Sequence, residues 1–326
     1  MNNSPVLLKE VDCVEILTLM DNYTDVLLEN TEIATRLPEP KGEEIPTDTL
    51  LAEHGLSLLV TVHRGEEKHT LLFDTGHTRI GVLHNMEKLE IDPNEVETIV
   101  LSHAHMDHTG CLYPLLDQMT RPMTLAVHPD AFLFPRFKET KDGKKLRFPR
   151  TLIKDELINK KVDILETKAP TPVLGNMVLI TGGVERQTTF EKGLPNALIE
   201  RDGQLEKDPI ADDQSLAIHL KEKGLVVVSG CSHAGIINTV LQAKEITGVK
   251  KVHGILGGFH LIGPSAEALL ENTMEELTKL QPKVLVPMHC TGWKGIHRIS
   301  EVFADAFTLN SVGTKITLDS VFPYRE

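Results

Sequence analysis

The sequence predicts an α/β fold in which helices pack outside layered β-sheets. The first half alternates short apolar runs with turn residues, as hairpins do, and the second half repeats hairpin, helix, strand, helix and strand. Aromatic residues make up 4% of a chain that is 40% hydrophobic, so we expect a core built mostly of Val, Ile and Leu. A chain of 326 residues is long enough to bury a large core of this kind.

The first half contains apolar runs of strand length and two segments of helix length. A strand is predicted at 14–19, and the polar, proline-rich residues 30–50 predict a long loop. Runs at 56–62 and 70–74 flank Gly65-Glu66-Glu67, a turn signal that predicts a hairpin. Farther along we predict helices at 82–89 and 112–119, and strands at 97–101 and 124–127.

The second half has a more regular alternation of strands and helices. Glu222-Lys223-Gly224 is another hairpin signal between two apolar runs. Helices are predicted at 236–246, 267–280 and 302–309. Strands are predicted at 178–181, 197–201, 215–220, 225–229, 251–256, 283–287 and 315–318.

Histidines fall at the ends of the predicted strands. Four strands end at His103, His128, His260 and His289, and His233 follows a fifth strand by four residues. Side chains at strand ends are held by a rigid scaffold and still reach a common crevice. We therefore expect several of these histidines to share one site.

The densest group of ligand-type side chains lies directly after the strand at 97–101. His103, His105, Asp107 and His108 place three imidazoles and one carboxylate within six residues. Imidazole nitrogen and carboxylate oxygen are ligands of zinc, iron and manganese. The sequence therefore predicts a metal site here.

Charge and cysteine content narrow the class of protein further. Lys and Arg number 34 against 47 Asp and Glu, which gives a net charge of -13 and disfavours nonspecific binding to nucleic acid or anionic membranes. We find no signal-peptide pattern, no apolar run of membrane-spanning length and no CxxC pair, so we expect a cytoplasmic protein with free thiols. Cys13 and Cys111 are expected to be buried core residues, whereas Cys231 and Cys290 stay open because each adjoins a candidate metal-binding histidine.

A basic segment interrupts this acidic chain. Residues 136–161 hold ten basic and four acidic side chains, a local excess of 10 − 4 = +6. One interpretation is a solvated loop, and the other is a lid over the site, as long inserted loops often are. In the second case the segment provides cations for phosphate and rings for stacking on a planar substrate. The cations are Lys144, Lys145, Arg147 and Arg150, and the rings are Phe132, Phe134, Phe137 and Phe148.

The motif His103-x-His105-x-Asp107-His108 resembles the HxHxDH signature of the metallo-β-lactamase superfamily. Leu72-Phe73-Asp74-Thr75-Gly76 is similar to the strand and turn that precede this signature, and Val286-Pro287-Met288-His289 to the last ligand strand. The resemblance implies an αββα sandwich. It also implies a single domain over residues 1–326, with the basic segment as a lid-like insertion at about 131–165.

Four further motifs resemble one branch of the superfamily, named after 7,8-dihydropterin-6-yl-methyl-4-(β-D-ribofuranosyl)aminobenzene 5′-phosphate synthase. They are Glu53-His54-Gly55-Leu56-Ser57, Gly230-Cys231-Ser232-His233-Ala234-Gly235-Ile236, Gly257-Gly258-Phe259-His260-Leu261 and His289-Cys290-Thr291-Gly292. These motifs are specific for membership of the branch and weak for the substrate.

The resemblance also implies a set of metal ligands. His103 and His105 are expected to bind a first ion, and Asp107, His108 and His289 a second. The implied ions are one to two divalent transition metals, with Zn²⁺ expected first and Mn²⁺ or Fe²⁺ as alternatives.

One ligand of the superfamily is missing from its usual place. The superfamily has a bridging Asp after the strand that here ends in Ser229-Gly230, where this chain has Cys231-Ser232-His233. We expect His233 to bind metal and to replace part of the work of that carboxylate. The alternative is that Asp212 or Asp213 supplies the carboxylate. His260 is expected to bind substrate or transfer a proton rather than to bind metal.

The resemblance implies an enzyme that acts on a phosphorylated or pyrophosphorylated small molecule. It is either a hydrolase, with Asp107 orienting the attacking water, or a transferase that releases pyrophosphate. The alternative from another class is a non-catalytic metal-binding sensor or a redox protein. We expect a small anionic substrate and no nucleic-acid or membrane partner; the oligomeric state is open, with a homo-oligomer as one option.

Overall fold

The computed structural model describes residues 5–37, 47–160, 162–263 and 266–321. Part of the predicted loop at 30–50, with Pro38, Pro40 and Pro46, lies outside the described residues, as does Lys161 of the basic segment. In the described part of the chain, no helix is long and apolar enough to cross a membrane.

Eight strands form the first sheet, in the order β2-β18-β1-β3-β4-β5-β6-β9. The strand β1 is antiparallel to β3, and β4, β5, β6 and β9 run parallel to one another. The strands are β1 (Cys13–Met20), β2 (Ala34–Thr35), β3 (Ser57–Arg64), β4 (Glu67–Phe73), β5 (Thr98–Val100), β6 (Met123–Val127), β9 (Val162–Glu166) and β18 (Lys315–Asp319).

Six strands form the second sheet, in the order β10-β11-β14-β15-β16-β17. The last three run parallel, which places the ends of β15, β16 and β17 at one edge. The strands are β10 (Thr171–Val173), β11 (Val178–Ile180), β14 (Ser215–Leu220), β15 (Gly224–Ser229), β16 (Val252–Gly258) and β17 (Val284–Met288). A small third sheet, in the order β13-β12-β7-β8, comprises β7 (Arg136–Glu139), β8 (Lys145–Arg147), β12 (Ala197–Arg201) and β13 (Gln204–Lys207).

The two large sheets face each other, and helices cover their outer faces. A fully buried cluster joins Ile16 and Val60 of the first sheet to Val228 and Val286 of the second. A second apolar cluster lies between the first sheet and its helices, and a third lies between the second sheet and its helices. The molecule is therefore an αββα sandwich. The helices are α1 (Gly81–Lys88), α2 (Met106–Thr109), α3 (Leu112–Gln118), α4 (Lys154–Asn159), α5 (Ile236–Thr247), α6 (Ala266–Leu280) and α7 (Gly292–Val302).

The predicted fold class, both hairpins and most predicted elements are confirmed. The core is also mostly aliphatic, as expected. The helix predicted at 302–309 is wrong, because α7 occupies Gly292–Val302 and ends where that helix was predicted to begin. Gly292 and Gly295 lie in its first turns and obscure the helical pattern. Within the basic segment, β7 and β8 form a hairpin that pairs with β12, so this part is not an unstructured loop.

Candidate metal centre

Three imidazole nitrogens converge in a first group of donors. His103 Nε2 lies 3.0 Å from His105 Nδ1, and His233 Nε2 lies 3.1 Å and 3.2 Å from these two atoms. Nitrogens that share one tetrahedral zinc ion at 2.0–2.1 Å are separated by about 3.3 Å. The spacing therefore fits one ion held by His103, His105 and His233.

The electrostatics of this first group also fit a cation. Burial lowers the pKa of His103 and His233 well below the ordinary value of 6.5, and it lowers the pKa of His105 to about 4. The neighbouring imidazoles lower the pKa of His103 and His233 further. Neutral imidazoles offer lone pairs to a metal, whereas protonated ones cannot.

A second group of donors faces the first. Asp107 Oδ2 lies 3.4 Å from His289 Nε2 and 3.8 Å from His108 Nε2. His289 Nε2 is buried and has no hydrogen-bond partner among the described residues, as expected for an atom that binds a ligand. Burial raises the pKa of Asp107, but the nearby rings of His108 and His289 outweigh it and hold this pKa well below the ordinary 3.8. Asp74 and Asp107 in turn raise the pKa of His108 to about 9 against the effect of burial. Asp107, His108 and His289 therefore bring one ionised carboxylate and two imidazoles together for a second ion, and His108 must release a proton when it binds metal.

Buried polar side chains outside the donor groups hold the imidazoles in place. Asp74 accepts hydrogen bonds from Ser102 N, Ser102 Oγ and His108 Nδ1, each at 2.7 Å. Asp21 accepts one from His289 N at 2.9 Å, and Asn22 Oδ1 lies 3.1 Å from His289 Nδ1. Such contacts fix the ring orientation of metal-binding histidines. The polar residues at 21–25 contain no sequence signal for these contacts, so they were not predicted.

Asp212 and Asp213, the alternative source of a carboxylate ligand, point to other partners. Asp212 accepts hydrogen bonds from Ala104 N at 2.9 Å and from the guanidinium of the buried Arg136 at 2.7 Å. Asp213 accepts one from Ala234 N at 2.8 Å. In the described residues neither belongs to a converging donor set. Both carboxylates instead hold the backbone of segments that carry metal-binding histidines.

His233 completes the first donor group with His103 and His105. This position agrees with a metal-binding role for His233, and its replacement of part of the bridging carboxylate's work stays a prediction. Cys231 occupies the space between the groups, with Sγ 3.1 Å from His108 Nε2. Cys231 and Cys290 are both buried free thiols. The sequence alone left the roles of Cys231 and Cys290 undecided. Their position next to candidate metal-binding histidines was the sign that they could belong to the site.

Two further histidines border the centre. The centres of the His260 and His233 rings lie 4.5 Å apart. A ring nitrogen of His260 also converges with Cys231 and His233, so the geometry allows His260 as a metal ligand as well as a proton-transfer residue. His54 Nε2 lies 3.5 Å from Asp107 Oδ2. The sequence did not predict this contact, although His54 belongs to one of the motifs that resemble the branch. His128 takes no part, because its Nδ1 accepts a hydrogen bond from Asp130 N in a local turn.

The basic segment reaches the first donor group at one end only. Phe148 stacks on His105 with ring centroids 4.9 Å apart, and a cavity beside them is lined by Phe132, Phe134 and Arg150. The Arg147 and Arg150 guanidinium groups lie 6.0 Å and 5.5 Å from the centre of the Phe134 ring. Lys144 and Lys145 are exposed at the far end of the β7–β8 hairpin and do not line this cavity. Their role in substrate binding stays a prediction without support from their position.

Comparison with known proteins agrees with this geometry. The family described as the metallo-β-lactamase superfamily matches residues 52–184. The 7,8-dihydropterin-6-methyl-4-(β-D-ribofuranosyl)-aminobenzene-5′-phosphate synthase of Methanocaldococcus jannaschii is 31% identical over 283 residues, which cover 86% of this chain and 94% of that protein. An uncharacterised protein of the same organism is 32% identical over 252 residues, covering 77% of this chain and 89% of that protein.

Solved structures agree on the fold. One described as a metal-dependent hydrolase of the β-lactamase superfamily has a TM-score of 0.70 and 24% identity over 94% of this chain and 99% of its own. The metallo-β-lactamase fold protein YhfI from Bacillus subtilis has a TM-score of 0.51 and 12% identity over 94% of this chain and all of its own, 100%. At these identities the two structures show the fold alone. The family match and the 31% identical relative show that the chain belongs to the metallo-β-lactamase superfamily, in the branch of the M. jannaschii synthase.

Proposed function

We propose that this protein is an enzyme that uses one to two divalent transition metal ions, Zn²⁺ before Mn²⁺ or Fe²⁺, to act on a phosphorylated or pyrophosphorylated small molecule. The observation that carries the proposal is the convergence of two donor groups, one of three neutral imidazoles and one that includes the ionised Asp107. The proposal includes a cytoplasmic location and no nucleic-acid or membrane partner.

The donor groups assign separate tasks to the chain's own residues. Metal ions bound here supply the charge that lowers the pKa of water and offsets the charge of a phosphate. His103, His105 and His233 bind without adding charge, so the first position stays strongly electropositive towards an anionic substrate. Asp107 adds a negative charge at the second position, and its proposed role is to orient a water molecule.

The surroundings of His105 favour a substrate with a planar ring. Phe148 already stacks on the His105 ring, and Phe132 and Phe134 line the same cavity. The cavity has a volume of only about 20 Å³, so its side chains must move to admit a ring. Arg150 lines this cavity and is proposed to pair with a phosphate. The name of the M. jannaschii relative describes a pterin joined to an aromatic ribosyl phosphate, which has both features. Planar, phosphate-bearing compounds are therefore the substrates to test first.

Hydrolysis and transfer make different demands on the same site. In hydrolysis, water near Asp107 attacks phosphorus or a carbonyl carbon. In transfer, the second, aromatic substrate forms a bond to the carbon that carries the pyrophosphate, pyrophosphate leaves, and water must be excluded. The synthase relative supports transfer, and we place transfer first and hydrolysis second. His260, beside the first donor group, is the proposed proton-transfer residue.

A substrate panel with matched variants tests the proposal. Zinc-loaded protein is assayed with phosphoesters and with a dihydropterin pyrophosphate plus an aromatic ribosyl phosphate, and we expect turnover of at least one class. Asp107→Asn should lose turnover while keeping its fold. Arg150→Ala should raise KM, whereas Lys145→Ala, a change of the same charge at the hairpin turn, should not. Metal binding without turnover of any compound would favour the sensor or redox alternative, and wild-type rates in Asp107→Asn would refute its role.

A further inference from the structure

A cysteine sulfur lies where the two donor groups meet. Cys231 Sγ is 3.1 Å from His108 Nε2, and it lies within 4.8 Å of a ring nitrogen of His103 in the same donor set. Cys231 Sγ also lies within 4.8 Å of a ring nitrogen of His233 and of a ring nitrogen of His289. The sulfur therefore faces imidazoles of both the first and the second group.

The backbone around Cys231 is built for this close approach. A Cβ on Gly230 would lie 2.1 Å from Ser102 Oγ, and one on Gly258 would lie 2.4 Å from Gly230 O and 2.6 Å from Cys290 Sγ. Both glycines allow the ends of β15 and β16 to come together against the segment that carries His103. Cys231 itself is 2% exposed, so its thiol is directed into the site rather than to solvent.

The donor side chains carry too little negative charge to balance two divalent ions, which favours an anionic ligand between the two positions. Five imidazoles and the single carboxylate of Asp107 surround two positions for divalent ions. Two such ions repel each other strongly in a buried site unless an anion lies between them. A thiolate is a zinc ligand in its own right, at a bond length of about 2.3 Å. Three other carboxylates near the site have partners of their own: Asp212 pairs with Ala104 N and Arg136, Asp213 with Ala234 N, and Asp74 with Ser102 and His108 Nδ1. In the described residues none of them belongs to a converging donor set.

We propose that Cys231 is a metal ligand, bound as a thiolate between the two ions in the place of a bridging carboxylate. The proposal rests on the metal centre of the proposed function. On metal binding, the S–H bond of Cys231 breaks, a sulfur–metal bond forms, and the proton leaves to solvent. No oxidant or reductant is needed.

X-ray absorption at the zinc edge of the reconstituted protein tests the proposal directly. Wild-type protein should show a sulfur neighbour at about 2.3 Å beside nitrogen and oxygen at 2.0–2.1 Å. Cys231→Ser should lose the sulfur neighbour and hold the second zinc ion at least about tenfold more weakly. Cys290→Ser is the matched control, because Cys290 is the neighbouring buried thiol, with Sγ 3.4 Å from Cys231 O. It should keep the sulfur neighbour.

The outcomes separate this proposal from the metal centre on which it rests. Zinc bound by nitrogen and oxygen alone in the wild type overturns the thiolate and leaves the centre standing. A sulfur signal that survives in Cys231→Ser and disappears in Cys290→Ser assigns the ligand to Cys290 and overturns the proposal. Wild-type protein that binds no zinc overturns both. The wild-type spectrum needs no variant, so the proposal can fail even if Cys231→Ser does not fold.

Discussion

Adding a single methyl group at Gly230 should disturb both the fold and the metal centre. Its Cβ would lie 2.1 Å from Ser102 Oγ, 2.4 Å from Ser102 Cβ and 3.0 Å from Asp74 Oδ2. Ser102 cannot simply rotate away, because its hydroxyl and amide both donate to Asp74 at 2.7 Å. Relief of the clash must therefore move the end of β15 or the carboxylate that orients His108.

The size of the effect can be estimated from general costs. Overpacking a buried site costs about 1–3 kcal/mol. The unfolding entropy is about 2.1 cal/mol/K per residue. For 326 residues this gives about 0.7 kcal/mol/K, so Gly230→Ala should lower Tm by roughly 1.5–4 °C. Disturbing the contact that orients a metal-binding histidine should also weaken metal affinity by about 10–100-fold.

Gly254→Ala is the matched control for this experiment. Gly254 is likewise a buried glycine of the same sheet, but its added Cβ would meet nothing closer than 3.5 Å. Without a clash, Gly→Ala should be neutral or stabilise by up to about 1 kcal/mol. Thermal unfolding of the metal-free variants and zinc titration give the two readouts. If Gly230→Ala had the same Tm and the same zinc affinity as Gly254→Ala, the close contact between Gly230 and Ser102 would be wrong.

Two further predictions concern the histidines. Replacing both His103 and His105 by Ala should abolish binding at the first metal position, and elemental analysis showing undiminished metal would contradict the assignment. His253, 1% exposed in β16, has a pKa lowered to about 4 by burial and three nearby lysines, against an ordinary 6.5. Since the unfolded chain takes up this proton below pH 6.5 and the fold does not until about pH 4, stability should fall in that window by up to about 3 kcal/mol. Denaturant unfolding of the metal-free wild type and of His253→Gln, measured across this pH range, checks the prediction. The variant should lack the part of the stability loss that comes from His253. A difference in unfolding free energy between the two proteins that does not change with pH would contradict it.

The fold was predictable where local pattern and tertiary demand agree. The hairpin of β3 and β4 combines apolar runs with a Gly65 turn, and the strands before His103 and His289 are buried apolar runs. The small third sheet was only partly predictable, because the edges of β8 and β13 are exposed and carry little apolar pattern. Its pairing depends on partners about sixty residues apart, such as Lys138 and Ala197, which local sequence does not reveal.

The candidate site shows the same division between local and distant information. The group at His103 to His108 is compact in sequence, so residue type and spacing were enough to predict it. The assignment of His233 depended on whether Cys231 or His233, both after β15, faces the first donor group. Packing decides this orientation, and the local sequence does not reveal it. Asp21 and Asp74 look like ordinary turn residues in the sequence, although both are buried and hold ligands in place. Only the three-dimensional contacts distinguish them.

The density of buried polar groups indicates that this site was formed at some cost to stability. His103, His233 and His289 are 1%, 4% and 2% exposed. The Nε2 atoms of His103 and His233 lie 3.1 Å apart, and among the described residues His289 Nε2 has no hydrogen-bond partner. A metal ion that binds only the folded state offsets this cost by an amount that grows with its concentration relative to Kd. The supporting carboxylates also favour folding before metal binds, because each accepts backbone or side-chain hydrogen bonds across the sheets. The arrangement therefore holds its ligands in place in advance, which is the condition for tight and selective metal binding.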